Sequence, residues 1–134
     1  MSRNVLVVED EALIMMLIED QLVDLGYVVH TAPGVEAAML ILRDQIVDMA
    51  LLDVNLAGTS SAPVGHELEA RGIPFAFATG YGQQGVDEAF RGHVCLQKPF
   101  RVVDLKRTLE ALEHQLAEMG PQVSARTTSS IRMM

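Results

Sequence analysis

The chain has 134 residues and a formal net charge of −8, with 18 acidic residues against 10 Lys and Arg. This negative charge argues against binding to a nucleic acid backbone or to an anionic membrane, because a protein that binds either one needs a basic surface patch. The single cysteine, Cys95, cannot form an internal disulfide, and no apolar run approaches the roughly 20 residues that span a bilayer. We therefore expect one cytoplasmic domain with an aliphatic core.

Short apolar segments alternate with helical patterns along the chain. The strand pattern predicts five strands, Val5–Val8, Tyr27–Thr31, Asp48–Asp53, Ile73–Thr79 and His93–Gln97. The helical pattern predicts Ala12–Leu25, Val35–Arg43, Pro63–Ala70 and Arg101–Met119, with a weak further helix at Gln83–Arg91. Five βα units predict an α/β fold with a doubly wound parallel sheet, helices on both faces and right-handed crossovers.

Glycine and proline mark the irregular parts of this pattern. A loop is expected over Ala57–Ala62, and the glycines of the 80–92 segment predict that the weak fourth helix is short, displaced or mobile, since glycine costs a helix about 1 kcal/mol relative to alanine. The last helix is expected to end at Gly120-Pro121. We therefore predict a folded domain over 1–119 and a flexible C-terminal tail over 120–134.

Four of the five predicted strands lead into a residue that carries chemistry. Glu9 and Asp10 follow the first strand, Asp53 and Thr79 end the third and fourth, and Lys98 follows the fifth. Taken alone, Asp53 is typical of a residue that merely caps the next turn. Because the carboxyl ends of parallel strands meet at one edge of the sheet, we expect all five side chains to converge there.

Three carboxylates at one place repel one another unless a cation lies among them. Mg²⁺ fits best, because it uses few protein carboxylates and keeps room for water and phosphate oxygens. Lys98 supplies a positive charge that pairs with Asp53 or a phosphoryl oxygen, and Thr79 supplies a hydrogen bond to another phosphoryl oxygen. Asp53 is then the nucleophile that forms an acyl phosphate.

Four segments together carry a family resemblance: Val5–Glu11, Leu51–Asn55, Phe77–Gly80 and Gln97–Phe100. In their order and approximate spacing, the chain resembles a response-regulator receiver domain of two-component signalling over residues 3–119. The resemblance implies a flavodoxin-like (βα)5 fold, with five parallel strands in the order 2-1-3-4-5. It also implies Asp53 as phosphoacceptor, Asp10 as a direct Mg²⁺ ligand, Glu9 acting mostly through water, and the backbone carbonyl of Asn55 as third protein ligand.

For the remaining strand ends, the resemblance implies Thr79 as the switch hydroxyl and Lys98 as the phosphate-binding lysine, with a cis Lys98-Pro99 peptide. One position departs from the family. Receivers usually carry Tyr or Phe three residues before the lysine, and this chain has Cys95 there. The usual coupling of the threonine to an aromatic residue is therefore in question, with Tyr81 as a candidate replacement from the following loop.

Partners also follow from the resemblance. The segments Gly72–Phe75 and Phe77–Gly82 resemble a stand-alone alphaproteobacterial receiver group with a Phe-Ala-Thr-Gly signature, whose partners are often kinases of the HWE or a related class. A histidine kinase or histidine phosphotransfer protein is the expected phosphoryl donor, and the chain is expected to bind an unknown downstream protein or to serve as a phosphate sink or shuttle. Catalysis on a separate substrate is not expected.

The start of the first helix is the expected docking surface. Receivers dock on kinases there, and Ile14 and Leu17 align with that position by resemblance. Met15 and Met16 lie one turn before the acidic Glu19 and are expected to be partly exposed, where their flexible side chains suit an adaptable interface. An ordinary edge of the core is an equally good interpretation of the two methionines.

Three other functions remain open. A degenerate receiver would dock partners without phosphate. The intact Asp10, Asp53, Thr79 and Lys98 argue against this alternative, and Cys95 keeps it open. A flavodoxin-like small-molecule binder requires a Ser/Thr/Gly-rich phosphate loop after the first strand, where this chain has Glu9, Asp10 and Glu11. A haloacid-dehalogenase-type hydrolase requires an aspartate two residues after the nucleophile, where this chain has Asn55.

Overall fold

A computed structural model of the chain describes residues 2–80 and 93–132. Its main strands are β1 Asn4–Val8, β2 Val28–Ala32, β3 Met49–Asp53, β6 Phe75–Thr79 and β7 Cys95–Gln97, and the short strands β4 Asn55–Leu56 and β5 Thr59–Ser60 lie between β3 and β6. The main strands form a five-stranded parallel sheet in the order β2-β1-β3-β6-β7. Counting only these five strands, the order is 2-1-3-4-5, so the predicted flavodoxin-like fold is confirmed.

The strand register brings the predicted site residues to one edge. Strand β3 lies between β1 and β6, with Val8 opposite Leu52 and Asp53 opposite Ala78. At the outer pair, Thr79 lies opposite Gln97. Since all five strands run parallel, the residues that end them or follow them lie along the same carboxyl edge.

Helices cover both faces of the sheet, which explains why the central strands β1, β3 and β6 are buried and largely apolar without alternation. Within the described ranges the helices are α1 Ala12–Asp24, α2 Val35–Asp44, α3 Ala62–Ala70 and α4 Val102–Arg132. One core joins α2 and α3 to alternate strand residues such as Leu52 and Phe75. The other joins α1 and α4 to the intervening residues, such as Leu51 and Val7. Among the helices described, none combines the length and apolar character needed to cross a membrane.

The segment after β3 forms a hairpin where the sequence pattern predicted only a loop over Ala57–Ala62. Strands β4 and β5 pair with each other in antiparallel fashion. Ala57 and Gly58 form the turn with φ of +54° and +88°. Positive φ at both central residues is typical of the tight turn that suits twisted hairpins, and alanine is an unusual residue for it, which is why no clear turn signal was present in the sequence.

The last helix also differs from its predicted extent. It continues past Gly120-Pro121, where the sequence pattern predicted its end, and runs to Arg132. Extending a helix adds one hydrogen bond per residue without a new nucleus, which favours continuation even across residues that weaken it. The assignment of 1–119 as the domain and 120–134 as a flexible tail stays a prediction. The predicted fourth helix at Gln83–Arg91 and the candidate switch residue Tyr81 lie outside the described residues.

A polar contact ties α4 to the amino-terminal edge of the sheet. The Tyr27 hydroxyl donates a hydrogen bond to Glu113 Oε2 at 3.1 Å, and Arg3 Nε donates to Glu113 Oε1 at 3.1 Å. Burial and the adjacent Glu113 carboxylate raise the pKa of Tyr27 to about 12. An ionised tyrosine at this place would face a carboxylate, so the contact stabilises the fold only while Tyr27 keeps its proton.

Substituting Tyr27→Phe is expected to destabilise the protein at neutral pH by about 1 kcal/mol, the typical net contribution of one hydrogen bond. Because the folded-state pKa is raised above 10, this contribution is complete below pH 10 and is lost as pH rises toward 12. Urea unfolding of both proteins at pH 8 and near pH 11 measures the difference. A stability gap that stays constant over this interval would contradict the assigned role of the hydroxyl.

Candidate functional site

Three carboxylates meet at the carboxyl edge of the sheet. Glu9 and Asp10 directly follow β1, and Asp53 ends the central strand β3. One oxygen from each of the three lies within 4.8 Å of the others. Glu9 is 1% exposed and Asp53 is 9% exposed, so the negative charges are held close together and largely away from water. Such a cluster is stable only with compensating positive charge.

Lys98 provides part of that compensation. Its Nζ donates a hydrogen bond to Glu9 Oε1 at 2.7 Å and lies 3.3 Å from Asp53 Oδ2. The predicted pairing of Lys98 with Asp53 is therefore confirmed, but the closer partner is Glu9. Burial acts to lower the pKa of the Lys98 ammonium, but the Glu9 hydrogen bond and both carboxylates outweigh burial and raise it. The lysine is thus held in its charged form.

The backbone fixes where the ammonium lies. Strand β7 pairs with β6, and the Lys98 N–H donates to the Thr79 carbonyl at 2.8 Å just beyond the last strand pair. The Lys98-Pro99 peptide is cis, as predicted. The sheet edge therefore brings the lysine toward the end of β3 rather than into solvent.

The environment of Asp53 favours its protonated form more than water does. Burial is the largest cause, and the hydrogen bond and negative charge of Glu9 add to it. Lys98 and the Asn55 N–H, which donates to Asp53 Oδ1 at 3.4 Å, act in the opposite direction. Together they raise the pKa of Asp53 to about 6. The three carboxylates therefore outweigh the single positive charge of Lys98, and a cation bound among them would reduce their mutual repulsion.

The other two predicted residues border the carboxylates. Thr79 ends β6 and is 2% exposed, one register position from the partner of Asp53. Asn55 begins the hairpin, and its side-chain Oδ1 accepts the Gly58 N–H at 2.8 Å, which occupies the side chain in the turn. Ser61 closes the hairpin, with its hydroxyl donating to the Val54 carbonyl at 3.2 Å. The hairpin therefore holds the backbone that directly follows Asp53.

Two features of the site were not predicted. The contact between Glu9 and Lys98 joins residues 89 positions apart, whereas Glu9 was predicted to serve the metal, mostly through water. The Gly58 turn that holds Asn55 depends on a residue pair with little turn signal. The burial of Glu9, which is only 1% exposed, points to the contact with Lys98, because a buried carboxylate needs a nearby cation. That burial is a property of the fold, however, and cannot be read from the sequence.

Cys95 occupies the strand position where an aromatic residue is usual. It lies opposite Phe77 in the β6–β7 pair and packs at the edge of the core that includes Phe77. Burial raises the pKa of the Cys95 thiol, which favours the unreactive protonated form. The side chain is therefore best described as a packing residue.

The chemistry of the cluster suits Mg²⁺. This ion prefers oxygen ligands at about 2.1 Å and uses one or two carboxylates together with water. One oxygen from each of Glu9, Asp10 and Asp53 lies within 4.8 Å of the other two, so the cluster could hold such an ion. Lys98 lies closer to Glu9, at 2.7 Å, than to Asp53, at 3.3 Å, so Asp10 and Asp53 are less engaged by the lysine than Glu9 is.

Comparisons with known proteins agree with this geometry. The family model of the response regulator receiver domain matches residues 5–110. The chain is 29% identical to the polar-differentiation response regulator DivK of Brucella ovis over 123 residues, which cover 88% of this chain and 99% of DivK. It is 33% identical to the two-component response regulator PhoP of Pseudomonas aeruginosa over 114 residues, covering 81% of this chain but only 51% of PhoP. The chain thus spans about half the length of PhoP.

Solved structures give the same assignment. SdrG from Sphingomonas melonis Fr1 is 43% identical with a TM-score of 0.75, covering 83% of this chain and 96% of SdrG. The receiver domain of the sensor histidine kinase PA1611 from Pseudomonas aeruginosa PAO1, solved with a magnesium ion in its active-site cleft, is 26% identical with a TM-score of 0.72, covering 84% of this chain and 98% of that domain. The chain belongs to the response regulator receiver domain family of two-component systems.

Proposed function

We propose that the protein accepts a phosphoryl group on Asp53, with Mg²⁺ as cofactor, from a histidine kinase or a histidine phosphotransfer protein. The phosphorylated form then acts by binding a downstream protein, or the chain serves as a phosphate sink or shuttle. Its own chemistry is limited to phosphorylation and dephosphorylation of Asp53. The observation that carries the proposal is the cluster of Glu9, Asp10, Asp53 and Lys98 at one edge of the sheet.

The residues of the cluster supply the parts of a phosphoryl transfer. An Asp53 carboxylate oxygen forms a bond to phosphorus while the bond from phosphorus to the donor imidazole nitrogen breaks, and the electron pair leaves with the imidazole. The Lys98 ammonium, 3.3 Å from Asp53, stabilises the negative charge on the phosphoryl oxygens, and the Thr79 hydroxyl offers a hydrogen bond. Bound Mg²⁺ supplies further charge stabilisation, and Asp10, Asp53 and the Asn55 carbonyl would hold it. The magnesium in the related PA1611 cleft supports this cofactor.

Acetyl phosphate with Mg²⁺ is expected to add one phosphoryl group to the intact protein, because a small donor needs no kinase docking. Intact-mass measurement detects the product, and beryllofluoride with Mg²⁺ should shift amide NMR signals around Asp53. Asp53→Ala should remove both responses, while Asp44→Ala, at an exposed carboxylate at the end of α2, should keep them. An unchanged mass and spectrum for the unmodified sequence would sink the proposal.

The outer surface of α1 supports a docking role. Ile18 and Leu22 are buried, whereas Leu13, Met16 and Leu17 are 76%, 57% and 61% exposed. Large apolar side chains grouped on one exposed helix face are typical of an interaction surface. Phosphotransfer profiling against the histidine kinases of the host tests this role and separates a dedicated regulator, which has one fast donor, from a broad phosphate sink. Kinase binding without modification of Asp53 would instead favour the phosphate-independent docking module.

A further inference from the structure

The hydrogen bonds of the β4–β5 hairpin determine which way the backbone of Asn55 points. Asn55 pairs with Ser60, and one step further from the turn the Val54 carbonyl accepts the Ser61 N–H at 3.2 Å. Hydrogen-bonded and non-hydrogen-bonded residue pairs alternate along an antiparallel ladder. Because the step from Val54 to Ser61 carries a hydrogen bond, Asn55 and Ser60 form a non-hydrogen-bonded pair. The backbone N–H and C=O of Asn55 therefore point away from the partner strand of the hairpin.

This outward side of Asn55 faces the carboxylate cluster. The Asn55 N–H donates to Asp53 Oδ1 at 3.4 Å. In an extended residue the N–H and the C=O lie on the same side of the strand, so the Asn55 carbonyl also lies on the side of Asp53. A carbonyl oxygen is a ligand that hard divalent cations accept. The hairpin therefore sets the direction of this oxygen.

The base of the hairpin is fixed by the core. Leu56 is 4% exposed and belongs to the same core as Leu52 and Phe75. At the far end, the Ser61 hydroxyl donates to the Val54 carbonyl at 3.2 Å. The turn itself is exposed to solvent, so its conformation depends on bonds within the hairpin.

The side chain of Asn55 closes that turn. Its Oδ1 accepts the Gly58 N–H at 2.8 Å. Ala57 and Gly58 have φ of +54° and +88°, and the left-handed conformation is costly for alanine. The hydrogen bond from Gly58 to Asn55 offsets part of this cost. Without it, we expect the turn to relax and the backbone of Asn55 to lose its fixed direction.

We infer that the Asn55 side chain and Gly58 are positioning residues for the metal, which hold the Asn55 carbonyl at the geometry that Mg²⁺ requires. The inference rests on the proposed function for the metal site, and it gives the side chain a role separate from ligation. Mg²⁺ demands near-ideal octahedral geometry, whereas Ca²⁺ accepts a flexible arrangement of more oxygens. A carbonyl in a fixed direction favours Mg²⁺, so the turn sets the preference of the site for Mg²⁺ over Ca²⁺.

The first test measures the Kd of the full chain for Mg²⁺ and for Ca²⁺ by NMR titration. Asn55→Ala removes the acceptor of the Gly58 N–H and should raise the Kd for Mg²⁺ about five-fold, as expected for one lost hydrogen bond. The Kd for Ca²⁺ should rise by less than about two-fold, because Ca²⁺ tolerates a displaced ligand. Thr59→Ala, at an exposed position of β5, should change neither value. Equal weakening for both ions, or an unchanged Kd for Mg²⁺, would overturn the inference.

Two further variants separate the turn from the side chain that closes it. Asn55→Asp keeps an oxygen that accepts the Gly58 N–H, so it should retain the preference for Mg²⁺ over Ca²⁺ although its charge strengthens the binding of both. Gly58→Ala keeps the Asn55 side chain and adds a β-carbon that has open space among the described residues, so its effect comes from strain at φ of +88°. It should reduce the preference as Asn55→Ala does. The opposite result for either variant would contradict the positioning role.

Amide hydrogen exchange reports the turn without any metal. The Gly58 N–H should exchange faster in Asn55→Ala than in Thr59→Ala, because only the first variant removes its acceptor. Equal exchange in the two variants would show that the side chain does not hold the turn, and the inference would fail.

Acetyl phosphate distinguishes this inference from the proposed function. If Asp53 is phosphorylated while Asn55→Ala keeps the unmodified preference for Mg²⁺ over Ca²⁺, the positioning role is wrong and the proposed function stands. If the two ions respond as expected but no phosphoryl group is added to the unmodified sequence, the proposed function fails and the positioning role stands. Absence of Mg²⁺ binding to the unmodified protein would overturn the inference.

Discussion

Replacing Lys98 by methionine is expected to destabilise the metal-free protein by about 3 kcal/mol. The substitution keeps a long apolar stem but removes the cation that lies 2.7 Å from Glu9 and 3.3 Å from Asp53. Glu9 is 1% exposed, so a carboxylate would remain buried without its partner, and breaking a buried ion pair from one side typically costs several kcal/mol. Urea unfolding in the presence of a chelator measures the loss.

Two controls separate this cause from a general effect of the substitution. Lys106→Met, at an exposed lysine of α4, should change stability by less than about 0.5 kcal/mol. The double variant Glu9→Gln with Lys98→Met should recover much of the loss, because the buried charge disappears together with its partner. Equal destabilisation by both lysine substitutions, or no recovery in the double variant, would show that the Glu9–Lys98 contact is not what the lysine contributes.

Mg²⁺ gives the same substitution a second readout. A divalent cation among the carboxylates replaces the lost positive charge, so the ion should restore more stability to Lys98→Met than it adds to the unmodified protein. Phosphorylation by acetyl phosphate should nevertheless remain impaired in the variant, because the lysine also stabilises charge on the transferred phosphoryl oxygens. Restored stability without restored reactivity would separate the structural role of Lys98 from its chemical role.

The sheet could be predicted closely because its signals are local. Buried strands such as Met49–Asp53 have no alternation, and each is followed by a turn and a helical stripe, so the existence and parallel direction of the five strands followed from pattern alone. The convergence of Glu9, Asp53 and Lys98 then followed from the geometry of a parallel sheet. The parallel sheet thus brings residues that are far apart in the sequence together in one site.

What could not be predicted depends on contacts rather than on pattern. The hairpin at Asn55–Ser60 depends on an alanine at positive φ, which no propensity favours. The end of α4 depends on how far a long helix continues past a proline, and small opposing free-energy contributions determine that length. Side-chain packing determines two further details, because both depend on distances within about 4 Å. These are the closer pairing of Lys98 with Glu9 and the absence of a hydrogen-bond partner for Gln21 Oε1 among the described residues.

Substituting Asp53→Asn is expected to stabilise the metal-free protein at neutral pH by about 1–2 kcal/mol, a figure that allows for solvent screening of the charge. Asp53 is buried beside two other carboxylates, and its pKa of about 6 reflects the cost of ionising it there. Because the folded-state pKa is raised above the ordinary 3.8, the unmodified protein loses stability as pH rises through the interval from about 4 to 6. The advantage of the variant should therefore be near zero at pH 4 and complete above pH 6, as measured by urea unfolding across this range.

Mg²⁺ should reverse this order, since the ion binds the carboxylate cluster and stabilises the unmodified protein by about 2.7 kcal/mol at 100 times its dissociation constant. The amide introduced by Asp53→Asn is a weaker ligand, so the variant should gain much less. Asp48→Asn is the matched control, because Asp48 accepts a bond from the Asn4 N–H at the opposite edge of the sheet and lies far from the metal ligands. It should keep the full response to Mg²⁺. If ionised Asp53 destabilises the fold without metal and stabilises it with Mg²⁺ bound, that would explain why the site contains three acids and one lysine. Equal stabilisation of all three proteins by Mg²⁺ would rule this explanation out.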